Sequence, residues 1–217
     1  MINLTNYQKI KTQLEPFGAQ LVAVSKTKPV TDILELKSHG QQIFGENYVQ
    51  ELAIKAENIS DVSWHFIGHL QSNKVKGILP LVKLIHGVDS IKLLEEIQKM
   101  SQRLNLTTSC LLQIYIADER TKFGLSYREA DDFLNSEHLS KMTNVQIKGF
   151  MGMATFTEDD DKIRSEFKVL KKFMNKFPAF DTLSIGMSSD YQIALEEGST
   201  LIRIGSAIFG ERNYDSN

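Results

Sequence analysis

Cysteine is nearly absent: Cys110 is the only one in 217 residues. An internal disulfide or a cysteine-based zinc cluster is therefore excluded. Cys110 stands in the apolar run Ser109-Cys110-Leu111-Leu112, the setting of a small buried side chain. Four prolines and 13 glycines are too few for a collagenous or low-complexity chain, and 41% apolar residues are too many for disorder. Neither sign of charge dominates. The 25 Lys plus Arg against 27 Asp plus Glu give a formal net charge of −2, without the basic footprint of a nucleic-acid or membrane-surface binder. Long apolar runs are missing as well, and none approaches the ~20 residues that span a bilayer. Met1-Ile2-Asn3-Leu4-Thr5 has no basic segment followed by an apolar one, so no signal peptide is read. A soluble protein of a reducing compartment, the cytoplasm, is expected.

What is present is a repeating rhythm of short β-rich runs and amphipathic helical patterns. The runs at 20–25, 42–45, 64–68, 83–88, 109–117, 146–149, 182–185 and 200–204 read as eight strands. Ser90 precedes one helical pattern, and Ser126 with Glu129 and Ser189 with Gln192 match the spacing of a capping box. The longest helix follows an acidic stretch at 158–161, and its apolar residues Ile163, Phe167, Leu170, Met174 and Phe177 share one face. Lys171, Lys172 and Lys176 load its C-terminal half, where they complement the helix dipole and form a solvated face. Strands alternating with helices imply parallel pairing through crossovers. A doubly wound sheet and a closed barrel both fit that rhythm; the count of eight favours a single (β/α)8 TIM-type barrel domain over 1–217. An additional N-terminal helix carrying Leu4, Ile10, Leu14 and Phe17 should lie against its floor or flank.

In such barrels, chemistry sits at the C-terminal ends of the strands, and phosphate is often held after strands seven and eight. Lys26 shares a face with Val22 and Val24. If that face lines the barrel, Lys26 reaches its mouth, where an amine can be solvated, ion-paired or joined to a carbonyl ligand as a Schiff base. Ser188-Ser189 and Gly205-Ser206 each follow a strand and open a helix, so free N–H groups and hydroxyls can surround a phosphate or simply cap the helices. Arg203 shares a face with Leu201 and Gly205; pointing inward, it needs a partner, which could equally be an acid on a neighbouring strand. His65 and His69 read as packed or capping histidines in preference to acid–base groups. No cluster of His, Asp or Glu has metal-ligand spacing.

Several long segments resemble one family. They are Ala23-Val24-Ser25-Lys26-Thr27-Lys28-Pro29, Phe44-Gly45-Glu46-Asn47-Tyr48-Val49-Gln50-Glu51 and Trp64-His65-Phe66-Ile67-Gly68-His69-Leu70-Gln71-Ser72-Asn73-Lys74. Leu183-Ser184-Ile185-Gly186-Met187-Ser188-Ser189-Asp190 and Gly198-Ser199-Thr200-Leu201-Ile202-Arg203-Ile204-Gly205-Ser206-Ala207 continue the likeness towards the C-terminus. All resemble the pyridoxal phosphate homeostasis proteins, a single-domain family similar to the barrel of alanine racemases and other fold-type III PLP proteins. The resemblance implies pyridoxal 5′-phosphate (PLP) as cofactor and Lys26 as the lysine joined to it. It further implies Ser188, Ser189, Gly205 and Ser206 as the phosphate cradle, Arg203 as the residue facing the pyridine nitrogen, and Asn47 as a polar neighbour. Two departures from the family pattern stand out: Ser206 replaces a common threonine, and Phe123 interrupts the small-residue setting of Lys122-Phe123-Gly124.

A permanent cation beside the ring nitrogen disfavours its protonation and weakens the ring as an electron sink. The expectation is a non-catalytic PLP carrier in intracellular vitamin B6 and amino-acid homeostasis, with PLP-dependent apo-enzymes and free amino acids as partners. The alternatives are a PLP-dependent amino-acid racemase and a Schiff-base aldolase using Lys26 without PLP. The resemblance implies that a racemase would need a second base from a further C-terminal domain, which the chain, ending at Asn217, is not expected to have. A monomer, with no nucleic acid, membrane or metal among its ligands, completes the expectation.

Overall fold

The computed structural model describes residues 2–117 and 123–210. An α-helix, α1 (Leu4–Leu14), precedes strand β1 (Gln20–Val24). There follow α2 (Val30–Ser38), β2 (Ile43–Glu46), α3 (Val49–Asn58), β3 (Ser63–Phe66), α4 (Val75–Ile78), β4 (Leu84–Val88) and α5 (Ile91–Arg103). The second half runs β5 (Thr108–Gln113), α6 (Tyr127–Leu134), α7 (Glu137–Ser140), β6 (Val145–Met151), α8 (Asp160–Met174), β7 (Thr182–Ser184), α9 (Tyr191–Glu196), β8 (Leu201–Ile204) and α10 (Ser206–Phe209). The strands pair in parallel in chain order and β8 returns to β1, so the sheet closes into a barrel. This is the (β/α)8 architecture that the strand count implies.

Alternation along each strand divides the core in two. Val22, Leu84, Leu111, Met151 and Leu201 pack inside the barrel, with Ile43, Ile67 and Met153 against them. The opposite strand faces, including Ala23, Phe44, Phe66, Ile85, Phe150 and Ile202, pack with the helices in one continuous outer cluster. Amphipathic helices supply the other side: α5 buries Leu93, Leu94, Ile97 and Met100, and α8 buries Ile163, Phe167, Leu170, Phe173 and Met174. Ser90 caps α5 through the N–H of Leu93, and Ser126 and Glu129 form a reciprocal capping box on α6. Cys110 is fully buried, and burial pushes its thiol up to about 12.

Several sequence expectations need correction. Strand β5 stops at Gln113 instead of continuing to 117: Ile114 still donates to Met151 O at 2.9 Å, but it also bridges to Leu125, and the Tyr115 N–H turns to Leu125 O. Strand β6 is longer than expected because Val145, Phe150 and Met151 also pair with β5, and a bulge absorbs Lys148: Cys110 pairs with Ile147 and Leu111 with Gly149. Gly149 takes φ 151°, and a Cβ there would run into the carbonyl of Thr182. Helix α1 packs against α10 and β1, burying Tyr7, Ile10 and Leu14. Phe17 stays exposed on the 3-10 turn that follows. Helix α9 is not capped by a Ser189–Gln192 box; Asp190 precedes it and accepts a hydrogen bond from the Met187 N–H at 2.6 Å.

Candidate functional site

At the C-terminal ends of the strands lies a cavity of about 230 Å3. Its wall includes Lys26, Asn47, Ser188, Arg203, Gly205 and Ser206, with Val24, Ile67, Met153 and Met187 as its apolar parts. The structure thus brings six of the seven residues singled out from sequence to one place. Ser189 is exposed and lies outside that wall. Lys28, beside Lys26 in sequence, also lines the cavity and donates to the carbonyl of Phe209 at 2.8 Å. Lys122 lies outside the described residues. Phe123 stacks on His69 at 4.5 Å between ring centroids, and His69 contacts Asp89 at 2.9 Å.

Lys26 stands two residues beyond β1, in a turn that the sequence reading left unexplained. Lys55 on α3 reaches under it: its Nζ donates to Ser25 O at 2.7 Å, to Glu46 Oε1 at 2.7 Å and to Glu51 Oε1 at 2.6 Å. The Ser25 hydroxyl donates to the same Glu46 oxygen at 2.6 Å, and the Thr27 N–H donates to Glu51 Oε1. Thr27 has φ 63°, a left-handed conformation that costs a β-branched residue, so the turn is held from outside. Burial pushes the Glu46 carboxyl up, against the opposing pull of Lys55 and Ser25. The i,i+4 pair Glu51–Lys55 was the available sequence signal; what it could not show was that Lys55 is buried.

Arg203 is 5% exposed, with its guanidinium in the barrel interior. Among the described residues its hydrogen-bond partners are not acids. Nη1 donates to Ser184 O at 2.7 Å and Ser184 Oγ at 2.6 Å, and Nη2 donates to Gly152 O at 3.1 Å. Burial lowers it to about 10, opposed by the field of Asp190. It remains a cation at neutral pH. Below it, His86 contacts Ser184 and His65, all three buried. His86 escaped the sequence reading because a histidine in an apolar strand carries no motif.

The residues present suit a small anionic ring compound on two counts. Asn47 Oδ1 is buried without a hydrogen-bond partner among the described residues, an acceptor available to a ligand hydroxyl. Opposite, the hydroxyls of Ser188 and Ser206 meet at 3.3 Å. Among the described residues, the N–H groups of Ser188, Ser189, Ser206 and Ala207 donate to no backbone acceptor. Such a group of donors matches phosphate oxygens. No group of three His, Cys, Asp or Glu side chains suited to a metal occurs among the described residues. Nor is any described helix long and apolar enough to cross a membrane.

Fold and site together define a barrel of the alanine racemase type: residues 4–213 match the family model for the alanine racemase N-terminal domain. Within that class, the chain belongs to the family of pyridoxal phosphate homeostasis proteins. The protein of that name from Aquifex aeolicus is 36% identical over 203 residues, covering 90% of this chain and 88% of its own. The human one is 39% identical over 214 residues, covering 90% and 77%. PipY of Synechococcus elongatus, solved with PLP bound, superposes with a TM-score of 0.86 at 32% identity, covering 95% of this chain and 99% of its own. An alanine racemase of Clostridium difficile shares the fold with a TM-score of 0.76 at 13% identity, covering 99% and 62%.

Proposed function

We propose that this chain is a non-catalytic carrier of PLP in vitamin B6 and amino-acid homeostasis, holding the cofactor as a Schiff base on Lys26. One observation carries the reading: a lysine, an unpartnered carboxamide oxygen, a guanidinium and the N–H groups and hydroxyls of Ser188 and Ser206 line one cavity at the barrel mouth. When bound, PLP supplies an aldehyde that condenses with an amine and a ring that can draw electrons from the condensed carbon. Lys26 would be the amine, Asn47 would accept from the ring hydroxyl, and Ser188, Ser189, Gly205 and Ser206 would hold the phosphate. Of these, Ser189 contributes through its backbone N–H. Arg203, a cation in the cavity wall, would oppose protonation of a pyridine nitrogen placed beside it, which would limit carbanion chemistry while leaving retention intact. PLP-dependent apo-enzymes and free amino acids are the partners of such a carrier, and the cytoplasm is its compartment.

The test is turnover. Protein loaded with PLP is incubated with alanine, serine and other common amino acids in deuterated buffer. Trace α-proton exchange without net racemisation is the expected result. Turnover near ~1 per second, ordinary for an enzyme, contradicts the carrier reading and favours a racemase.

A further inference from the structure

A line of polar side chains crosses the barrel interior from the mouth to the opposite end. Arg203 Nη1 lies 2.6 Å from Ser184 Oγ. Ser184 Oγ is 2.9 Å from His86 Nδ1, and His86 Nε2 is 2.9 Å from His65 Nδ1. His65 in turn lines a second cavity, walled also by Gln20, Lys83, Ser109, Lys148 and Asp181 near the N-terminal ends of the strands. Arg203 lines the first. Ser184 and His86 are fully buried and His65 is 6% exposed, so water does not complete the links between them.

Proton inventory gives the line a direction. A guanidinium only donates, so Ser184 Oγ accepts from Arg203. The serine hydroxyl has one proton, and His86 Nδ1 is the acceptor within reach. His86 Nδ1 is therefore bare, and the neutral ring carries its proton on Nε2. That proton goes to His65 Nδ1, which is bare in turn, leaving the His65 proton on Nε2. Reversing the order would make Ser184 Oγ accept twice and leave its own proton without an acceptor in a dry site. A buried donor left so is the costlier arrangement. Burial holds both histidines below their usual range, His65 at about 4, in keeping with two neutral rings.

We propose that Ser184, His86 and His65 are positioning residues for Arg203. Each donates towards the barrel floor, and together they fix the guanidinium in a single orientation. Three of its five N–H groups are committed to Ser184 and Gly152. The Nε–H and the second Nη2–H are left over, the pair available to a ligand in the upper cavity. The importance of this orientation for PLP rests on the proposed function; the relay itself does not.

The experiment separates the two. In protein without added cofactor, nitrogen-15 NMR of the histidine rings should show His65 and His86 as neutral Nε2–H tautomers from pH 8 to pH 6. A Nδ1–H tautomer or an imidazolium at either ring overturns the relay. Side-chain signals of Arg203 should be resolved in the wild type and merge in His86→Leu, whereas His86→Asn, whose Oδ1 can replace Nδ1 as acceptor, should restore them. Circular dichroism establishes that each variant is folded, and Ser184→Ala offers the same test should His86→Leu fail to fold. Folded variants with unchanged arginine signals overturn the proposal. With PLP, His86→Leu should bind about tenfold more weakly and shift the cofactor's absorbance, and His86→Asn should reverse both effects. If the arginine signals merge while the absorbance stays fixed, the relay stands and the placement of Arg203 beside the ring falls.

Discussion

Lys55 Nζ donates to the carbonyl oxygen of Ser25 at 2.7 Å, so a buried lysine on α3 holds the residue that precedes Lys26. The same ammonium neutralises Glu46, whose carboxyl is fully buried. Lys55→Met removes the tie and leaves Glu46 without its cation. Removing one partner of a buried pair costs about 3–5 kcal/mol, read as a lower urea midpoint. Glu46→Gln added to Lys55→Met should recover part of that loss, because the stranded charge is gone. PLP affinity should fall in both variants, since neither holds the Ser25–Thr27 turn as the wild type does.

The phosphate cradle predicts discrimination between PLP and pyridoxal. Charge-assisted hydrogen bonds are worth about 1.5–3 kcal/mol each, so losing two weakens binding at least about a hundredfold. Titration of both compounds against the same protein checks this. Equal affinities would reject the roles given to Ser188, Ser189, Gly205 and Ser206.

Gly68 tests the other side of the cavity. A Cβ at this position would strike the backbone of Asn47, including its carbonyl oxygen and Cα. Gly68→Ala should displace Asn47 and weaken PLP binding more than Asn47→Ala does, because the whole segment after β2 must move. Gly149→Ala is different in kind: it strains a φ of 151° and collides with Thr182, so its loss should appear in stability itself.

Acid should destabilise the barrel through its histidines. Burial lowers His65 to about 4 from the usual 6.5 and holds His86 well below that value. The unfolded chain therefore binds protons that the folded one refuses, and stability falls as pH drops from about 6.5 towards the folded value. For His65 the loss at pH 4 relative to pH 7 is about 3 kcal/mol. Glu46 has the opposite sign: its raised carboxyl favours the folded state below the unfolded value, and that contribution is lost as pH rises through the folded one. Urea midpoints from pH 7 to pH 5 should therefore fall in the wild type and fall less in a folded His65→Leu variant.

The barrel was legible because its signal is repetitive: eight short runs, each with alternating faces, allow few other closures. Lys26 and Arg203 were legible from that alternation, since Val22 and Leu201 carry their faces inward. Boundaries failed where local pairing intervened, as at the Lys148 bulge and the Ile114–Leu125 bridge. Ser189 was read from its turn after β7, but its side chain is exposed, and the neighbouring Asp190 carboxylate binds back to the Met187 N–H without capping α9. Lys55 and His86 were missed for a shared reason. The burial of Lys55, its tie to Ser25, and the contacts of His86 with Ser184 and His65 have no local pattern.

The central claim is a covalent bond between the cofactor and one particular lysine. Protein loaded with PLP is reduced with borohydride, digested and mapped by mass spectrometry. The account predicts a pyridoxyl group on Lys26 and its disappearance in Lys26→Ala. Label found mainly on Lys28, which lines the same cavity, or on Lys74 would contradict it.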